Sequence, residues 1–256
     1  MSGGLLLVFL IGLLVGSFLN VLIDRIARNE KFVFGRSYCE SCQHLLSWQD
    51  LIPLFSFIFL AGRCRYCRAR IPFWLPVIEL VTALVFVLVA WWFFELAWGL
   101  IFLGLIIASL LIVVFFTDLK YRLVYGIIIY PALLITLVYQ IAIFGSWVGL
   151  ISPLLASLAT GLFFYLLYLL TKKRGLGFGD VQIGLLMGLL LGWPNIVVAL
   201  YLAFLTGALT GIILIIAGRA KMKTAIAFGP FLVLATFIAW FAGGKLISLV
   251  TTCLFF

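Results

Sequence analysis

The run Leu110-Leu111-Ile112-Val113-Val114-Phe115-Phe116-Thr117-Asp118 decides the class of fold. It closes an apolar stretch that reaches back to about residue 97, long enough for the roughly 20 residues a helix needs to cross a bilayer. Similar apolar runs stand on both sides of it, at about 4–23, 75–94, 124–144, 147–170, 183–194, 196–217 and 226–250. Of 256 residues, 66% are hydrophobic and 10% charged. A soluble domain averages about 45–50% and about 25%, so lipid is the solvent here, and a soluble globule or a single-anchor protein is excluded. The expected fold is an all-α polytopic membrane protein, a bundle of about eight transmembrane helices. The run 183–194 is short and is closed by Trp193-Pro194, which fits a re-entrant or packed half-length helix as well as a crossing. The first run lacks a basic segment before it and a small-residue cleavage site after it, so it reads as a permanent span. No internal repeat or low-complexity tract is evident.

The net charge is +9, and its placement matters more than its size. Threading eight crossings puts 24–74, 118–123, 171–182 and 218–225 on one side, and these hold every Lys and Arg except Lys245. The positive-inside rule makes that side cytoplasmic and puts both termini outside. Three regions follow: a first span at 1–23, a cytoplasmic segment at 24–74, and a bundle at 75–256. Arg63, Arg65, Arg68 and Arg70 then report topology and contact with lipid phosphates, and nucleic acid is not an expected partner.

Within 24–74, Cys39 and Cys42 stand in a Cys-x-x-Cys pair, Cys64 and Cys67 repeat it, and 21 residues lie between the pairs. Two such turns can place four thiolates at the corners of a tetrahedron, the ligand set of a structural Zn²⁺. Disulfides or free thiols, and an iron-sulfur centre, are the other readings, and a reducing cytoplasm disfavours disulfides. His44 reads as a surface histidine in preference to a substitute ligand. Cys253 reads as a buried thiol.

The chain has only eight carboxylates. Asp24, Glu30, Glu40, Asp50 and Glu95 take solvated or ion-paired roles by default, which leaves Glu79, Asp118 and Asp180. Asp118 ends an apolar run, while Asp180 ends Gly175-Leu176-Gly177-Phe178-Gly179 and opens the next, so the two acids share one membrane depth. Paired carboxylates cannot easily both ionise, so one keeps a proton while the other serves as a base on water, the chemistry of an aspartic protease. Gly177 and Gly179 would let the backbone bend and approach a substrate strand. Other readings stay open: Asp118 paired with Lys120 or Arg122, Asp180 as a helix cap, or both acids as a proton or cation site in a transporter or assembly scaffold.

Four ordered blocks resemble the bacterial type IV prepilin peptidases. They are Gly16-Ser17-Phe18-Leu19-Asn20-Val21-Leu22-Ile23 with Arg25; the Cys segment with Leu51-Ile52-Pro53, Ser56, Gly62-Arg63-Cys64-Arg65-Tyr66-Cys67 and Pro76-Val77-Ile78-Glu79-Leu80; Asp118 with Gly177-Phe178-Gly179-Asp180; and Phe228-Gly229-Pro230-Phe231. The resemblance implies a multi-pass protein of the bacterial cytoplasmic (inner) membrane, with Asp118 and Asp180 as catalytic pair. Its substrates would be prepilins or pseudopilins, cut after a glycine at the cytoplasmic boundary. It also implies N-methylation of the new terminus with S-adenosylmethionine, for which Glu79 is the candidate residue, with pairing to Arg25 or Arg70 as its structural alternative. The sequence carries no signal for oligomeric state. Two departures stand out. Arg122-Leu123-Val124-Tyr125-Gly126 lacks the proline and the acid or asparagine usual after the first aspartate, and Gln182 stands where the family tends to have lysine.

Overall fold

The computed structural model describes residues 2–30, 35–171, 176–219 and 227–255. Lys31, Lys172, Lys173, Arg174, Gly175, Lys221 and Lys223 lie outside these, as does the side chain of Cys253. The described residues form helices α1 (Ser2–Ala27), α2 (Phe55–Phe59), α3 (Trp74–Trp92), α4 (Trp98–Tyr121), α5 (Gly126–Phe144), α6 (Trp147–Leu170), α7 (Phe178–Leu191), α8 (Asn195–Ile216) and α9 (Gly229–Phe255), with one 3-10 turn at Trp48–Leu51. All but α2 and α7 are long and apolar enough to cross a membrane, which makes seven candidate spans among the described residues. The short apolar run of the sequence becomes α7, of 14 residues. At 1.5 Å per residue that is about 21 Å, against a hydrocarbon core of about 30 Å. The chain divides into two compact units, Met1–Ser109 and Leu110–Phe256.

In the first unit, α1 and α3 pack closely because small residues recur every four positions. A Cβ on Gly12 would lie 2.6 Å from the Ala83 Cα, and one on Gly16 would lie 2.7 Å from the Glu79 Cα. Asn20 continues the series, donating from Nδ2 to the Leu75 carbonyl at 3.0 Å. Positions 12, 16 and 20 thus face 83, 79 and 75 in antiparallel register. The insert between these helices contains isolated antiparallel bridges in place of strands, at Tyr38 with Leu45 and Arg63 with Arg70.

In the second unit, α7 is the buried centre. Its residues from Asp180 to Leu191 are buried apart from Leu185, with α5, α6, α8 and α9 packed around it. Glycines allow this contact too, since a Cβ on Gly188 would stand 2.5 Å from both the Ala156 carbonyl oxygen and the Ser157 Cα. The helix ends where Gly192 turns with φ of 62° and Pro194 follows. Gln140 of α5 donates to the carbonyls of Leu189 at 2.6 Å and Leu190 at 2.9 Å, which supplies partners at the helix C-terminus. Ser157 of α6 donates to the Leu185 carbonyl at 2.8 Å.

Gly188→Ala therefore forces backbone apart and is expected to cost about 1–3 kcal/mol, read as a lower melting temperature of the detergent-purified protein. Gly244→Ala, where no atom lies within 4 Å of the added carbon, is expected to leave the melting temperature undiminished.

Candidate functional site

Asp118 sits three residues before the end of α4, and only 7% of it is exposed. The first residue of α9 comes directly against it. A Cβ on Gly229 would meet the Asp118 Oδ2 at 2.5 Å and the Ile183 Cδ1 at 3.0 Å, and the Gly229 N–H faces the Asp118 carboxylate. Glycine is what lets the backbone reach the acid. Arg122, one turn on, is near enough for its charge to act on the same carboxylate.

Asp180 is the third residue of α7 and is 8% exposed. Its Oδ2 accepts the N–H of Gly177 at 3.0 Å, so the acid reaches back to the start of its own helix instead of standing ahead of it as a cap. Ile183, one turn after Asp180 on the same face, is the side chain that shares Gly229 with Asp118. The two carboxylates lie within electrostatic range of each other. Two acids far apart in sequence thus converge at one end of the second unit, each with a backbone N–H for company and most of its surface withdrawn from solvent.

The glycines before Asp180 have local work. Gly179 packs on Val124, whose Cβ and Cγ2 would each lie 2.6 Å from an added Cβ. Val124 belongs to the first sequence departure, and in the structure it forms a wall against the glycine-aspartate turn. Gln182, the second departure, is buried and donates from Nε2 to the Tyr130 hydroxyl at 3.4 Å. A neutral amide there contributes a hydrogen bond to a phenol in place of a cation.

Glu79 lies in the first unit, on α3, and is 8% exposed. Its Oε2 accepts the Leu54 N–H at 2.8 Å, and the Ser17 hydroxyl bonds to the same carboxylate. The pairing with Arg25 or Arg70 envisaged from sequence gives way to neutral donors. Arg25 instead donates to the carbonyls of Gly35 and Arg36. Leu54 is held at φ of 58° and ψ of −47°, a backbone state that L residues rarely adopt and that surrounding contacts must enforce.

The four cysteines converge. The Sγ atoms of Cys39, Cys42, Cys64 and Cys67 all lie within 4.8 Å of one another, and Cys39 Sγ to Cys67 Sγ is 3.8 Å. With a Zn–S bond of about 2.3 Å, a tetrahedron has edges of about 3.8 Å, so the donor set fits Zn²⁺ in chemistry and in span. His44 stays outside the cluster, its exposed ring 3.7 Å from that of Tyr66. The repeat of the Cys spacing extends to the backbone, where the two turns are copies of each other in ways the sequence did not show. In the first, the Cys39 N–H bonds to the His44 carbonyl and the Gln43 N–H to the Cys39 carbonyl. In the second, the Cys64 N–H bonds to the Ala69 carbonyl and the Arg68 N–H to the Cys64 carbonyl. Gln43 and Arg68 both stand at φ of 60°, and the bridges Tyr38 with Leu45 and Arg63 with Arg70 occupy the same register. Burial opposes ionisation of Cys39, yet the backbone N–H groups of Cys42 and Ser41 bring its thiol down to about 7.

Asp50 is a second residue that sequence reasoning left in a default role. Its side chain is 4% exposed and gathers the Ser47 N–H at 3.1 Å, the Ser47 hydroxyl at 2.8 Å, the Arg65 Nε at 2.7 Å and the Tyr66 hydroxyl at 3.2 Å. Against the opposing effect of burial, the Ser47 donors and the Arg65 guanidinium hold its carboxyl below the usual range. The signal available in sequence was Ser47-x-x-Asp50, the pattern in which a side chain closes a turn onto its own backbone.

Comparison with known proteins identifies the family. Residues 10–93 match the sequence family described as the Bacterial Peptidase A24 N-terminal domain, and residues 105–212 match the Type IV leader peptidase family. The prepilin leader peptidase/N-methyltransferase of Aeromonas salmonicida is 33% identical over 269 residues, covering 94% of this chain and 91% of its own. That of Pseudomonas aeruginosa is 31% identical over 284 residues, with 93% and 90% covered. That of Bacillus subtilis is 30% identical over 247 residues, with 94% and 96% covered. No solved structure matches the chain.

The purified protein is expected to hold a single zinc, measured by atomic emission, and Cys64→Ser is expected to lose it. Occupancy should fall as the pH is lowered, because each thiolate ligand then takes up a proton.

Proposed function

The chain belongs to the type IV leader peptidase family, and from that premise we propose that Asp118 and Asp180 are the pair with which it cuts its substrate. It is a multi-pass protein of the bacterial inner membrane that removes the leader of prepilins and methylates the amino terminus so exposed. The transporter or scaffold reading of the two aspartates is not favoured. The observation that carries the assignment is the approach of two buried carboxylates, one from the end of α4 and one from the start of α7, to within electrostatic range of each other, with Gly229 of α9 against Asp118 and against Ile183 one turn after Asp180.

Hydrolysis needs a base for water and an acid for the scissile carbonyl. Mutual repulsion of neighbouring carboxylates supplies both from one residue type, because the first to ionise leaves the second protonated. The ionised aspartate takes a proton from water as its oxygen attacks the carbonyl carbon. The protonated one donates a hydrogen bond to the carbonyl oxygen, and a proton then passes to the leaving amine. The N–H groups of Gly177 and Gly229 fix the carboxylates and restrict their rotation. No covalent intermediate forms.

Two spanning helices, α5 and α6, separate Asp118 from Asp180, so a substrate boundary on one side of the membrane meets both acids. We place that side in the cytoplasm with the Cys segment, on the distribution of Lys and Arg. Prepilins or pseudopilins cut after a glycine at this boundary suit such a site. The regions 1–23, 24–74 and 75–256 divide the labour as anchor, metal-bound segment and peptidase bundle. Zn²⁺ held by Cys39, Cys42, Cys64 and Cys67 would be structural, since four protein ligands leave no open position for catalysis.

Methyl transfer from S-adenosylmethionine brings a sulfonium to an amine. Glu79 is our candidate residue for it, because its carboxylate is buried with neutral donors, Leu54 and Ser17, and so remains available to a positive group.

Asp118→Asn and Asp180→Asn are each expected to lower cleavage of a model prepilin about a thousandfold or more, with zinc content and melting temperature kept. Substantial cleavage by either variant would overturn the pair. Glu79→Gln keeps an acceptor for Leu54 and removes the charge. It is expected to leave cleavage in place and to reduce methylation of the cleaved product about tenfold, scored by mass spectrometry.

A further inference from the structure

Among the described residues, the insert of the first unit presents a ridge of large apolar side chains that are mostly exposed. Phe59 is 84% exposed, Trp48 73% and Ile58 70%, and Phe55 and Ile52 flank them. Phe57 on the same short helix turns inward, with its ring 3.1 Å from where a Gly62 Cβ would stand, so the outward set is selected by the fold. Beneath the ridge is a groove of about 380 Å³ with apolar lining from Ile52, Phe55, Phe59 and Leu60, and with Arg65 and Gln49 among its walls. Exposed apolar area on this scale marks contact with another phase or another molecule.

Two observations choose between them. The first is depth. Leu54, the residue before α2, is bonded through its N–H to Glu79, which lies five residues into the spanning helix α3. At 1.5 Å per residue that is about 7.5 Å along the helix from Trp74, within the roughly 5–10 Å by which interfacial helices sink into the boundary of headgroups and acyl chains. Phe73, where the chain passes into α3, is also 70% exposed, and α3 itself exposes Leu80, Leu84 and Leu88 to lipid. The second is charge. Arg63, Arg65, Arg68 and Arg70 are all exposed around the second Cys turn, and a row of cations beside an apolar ridge matches an anionic headgroup layer above hydrocarbon.

We propose that residues 48–59 are seated in the membrane interface, with Trp48, Phe55, Ile58 and Phe59 in the acyl boundary and the arginines of 63–70 on the phosphates of anionic lipid. The insert is then partly a membrane-bound element, not a freely solvated cap. Its orientation over the bilayer is set by Leu54 and Glu79 from within and by lipid from without. The inference rests on the membrane-spanning reading of α3 and not on the assignment of the catalytic pair.

The test is photo-crosslinking of the full-length protein in vesicles of mixed phosphatidylcholine and phosphatidylglycerol, with no substrate added. Phe59→p-benzoylphenylalanine is expected to give phospholipid adducts, detected by mass, as does the same replacement at lipid-facing Leu84. Phosphatidylglycerol should be enriched among the Phe59 adducts. Arg68→Gln, which places at this turn the residue found at the equivalent Gln43, should reduce that enrichment by up to about fivefold, the effect of one interfacial cation. Adducts at Leu84 with none at Phe59 would overturn the proposal, as would crosslinks from Phe59 to a second protein chain. Equal capture of the two lipids in the unsubstituted insert would overturn the role of the arginines.

Discussion

The need to satisfy every backbone polar group where water is scarce governs the second unit. A helix of 14 residues is too short to carry its ends out to both interfaces, so its unpaired groups have to be met by protein. Gln140 does this for the carbonyls of Leu189 and Leu190, and Asp180 does it at the other end for the Gly177 N–H. Because α7 is enclosed, its first turn can hold an acid away from bulk solvent without leaving it unpartnered. The glycines at 184, 188 and 229 belong to the same solution, since each admits a neighbouring atom where a side chain would stand. The geometry of the two acids is in this sense a by-product of burying a short helix.

Much of this was legible in the sequence, for physical reasons. Uncharged runs of about 20 residues have few meanings, which is why the long helices were found and the run ending in Trp193-Pro194 was singled out as abnormal. The Cys-x-x-Cys pairs specify a ligand set by chemistry alone. Scarcity identified the acids, since a carboxylate at the end of an apolar run needs a reason to be there. The partners of those acids were not legible. Gly229 lies 111 residues beyond Asp118, and no local pattern announces that a helix start will return to it. The same holds for Glu79, for which a cation was the natural guess and a strained backbone N–H at Leu54 is the finding. The duplicated Cys-x-x-Cys spacing was legible, but how far the two turns are alike was not, because that likeness lies in hydrogen bonds and backbone angles, while Gln43-His44-Leu45 and Arg68-Ala69-Arg70 share no side chains.

The departures from the family pattern acquire a structural meaning. Val124 fills the space over Gly179, so the link after Asp118 supports the turn by contact. Gln182 points to Tyr130 and leaves the neighbourhood of Asp180 without the cation that the family tends to place there.

The antiparallel register of α1 against α3 also bears on how the chain assembles. Gly12, Gly16 and Asn20 meet partners that are made only after the whole intervening insert has been synthesised, so the pairing must wait for a loop of some fifty residues to close. The two Cys turns bring Cys39 and Cys67, 28 positions apart, to an Sγ separation of 3.8 Å, which shortens that loop. Whatever draws the four cysteines together thus also lowers the entropic cost of seating α1 on α3.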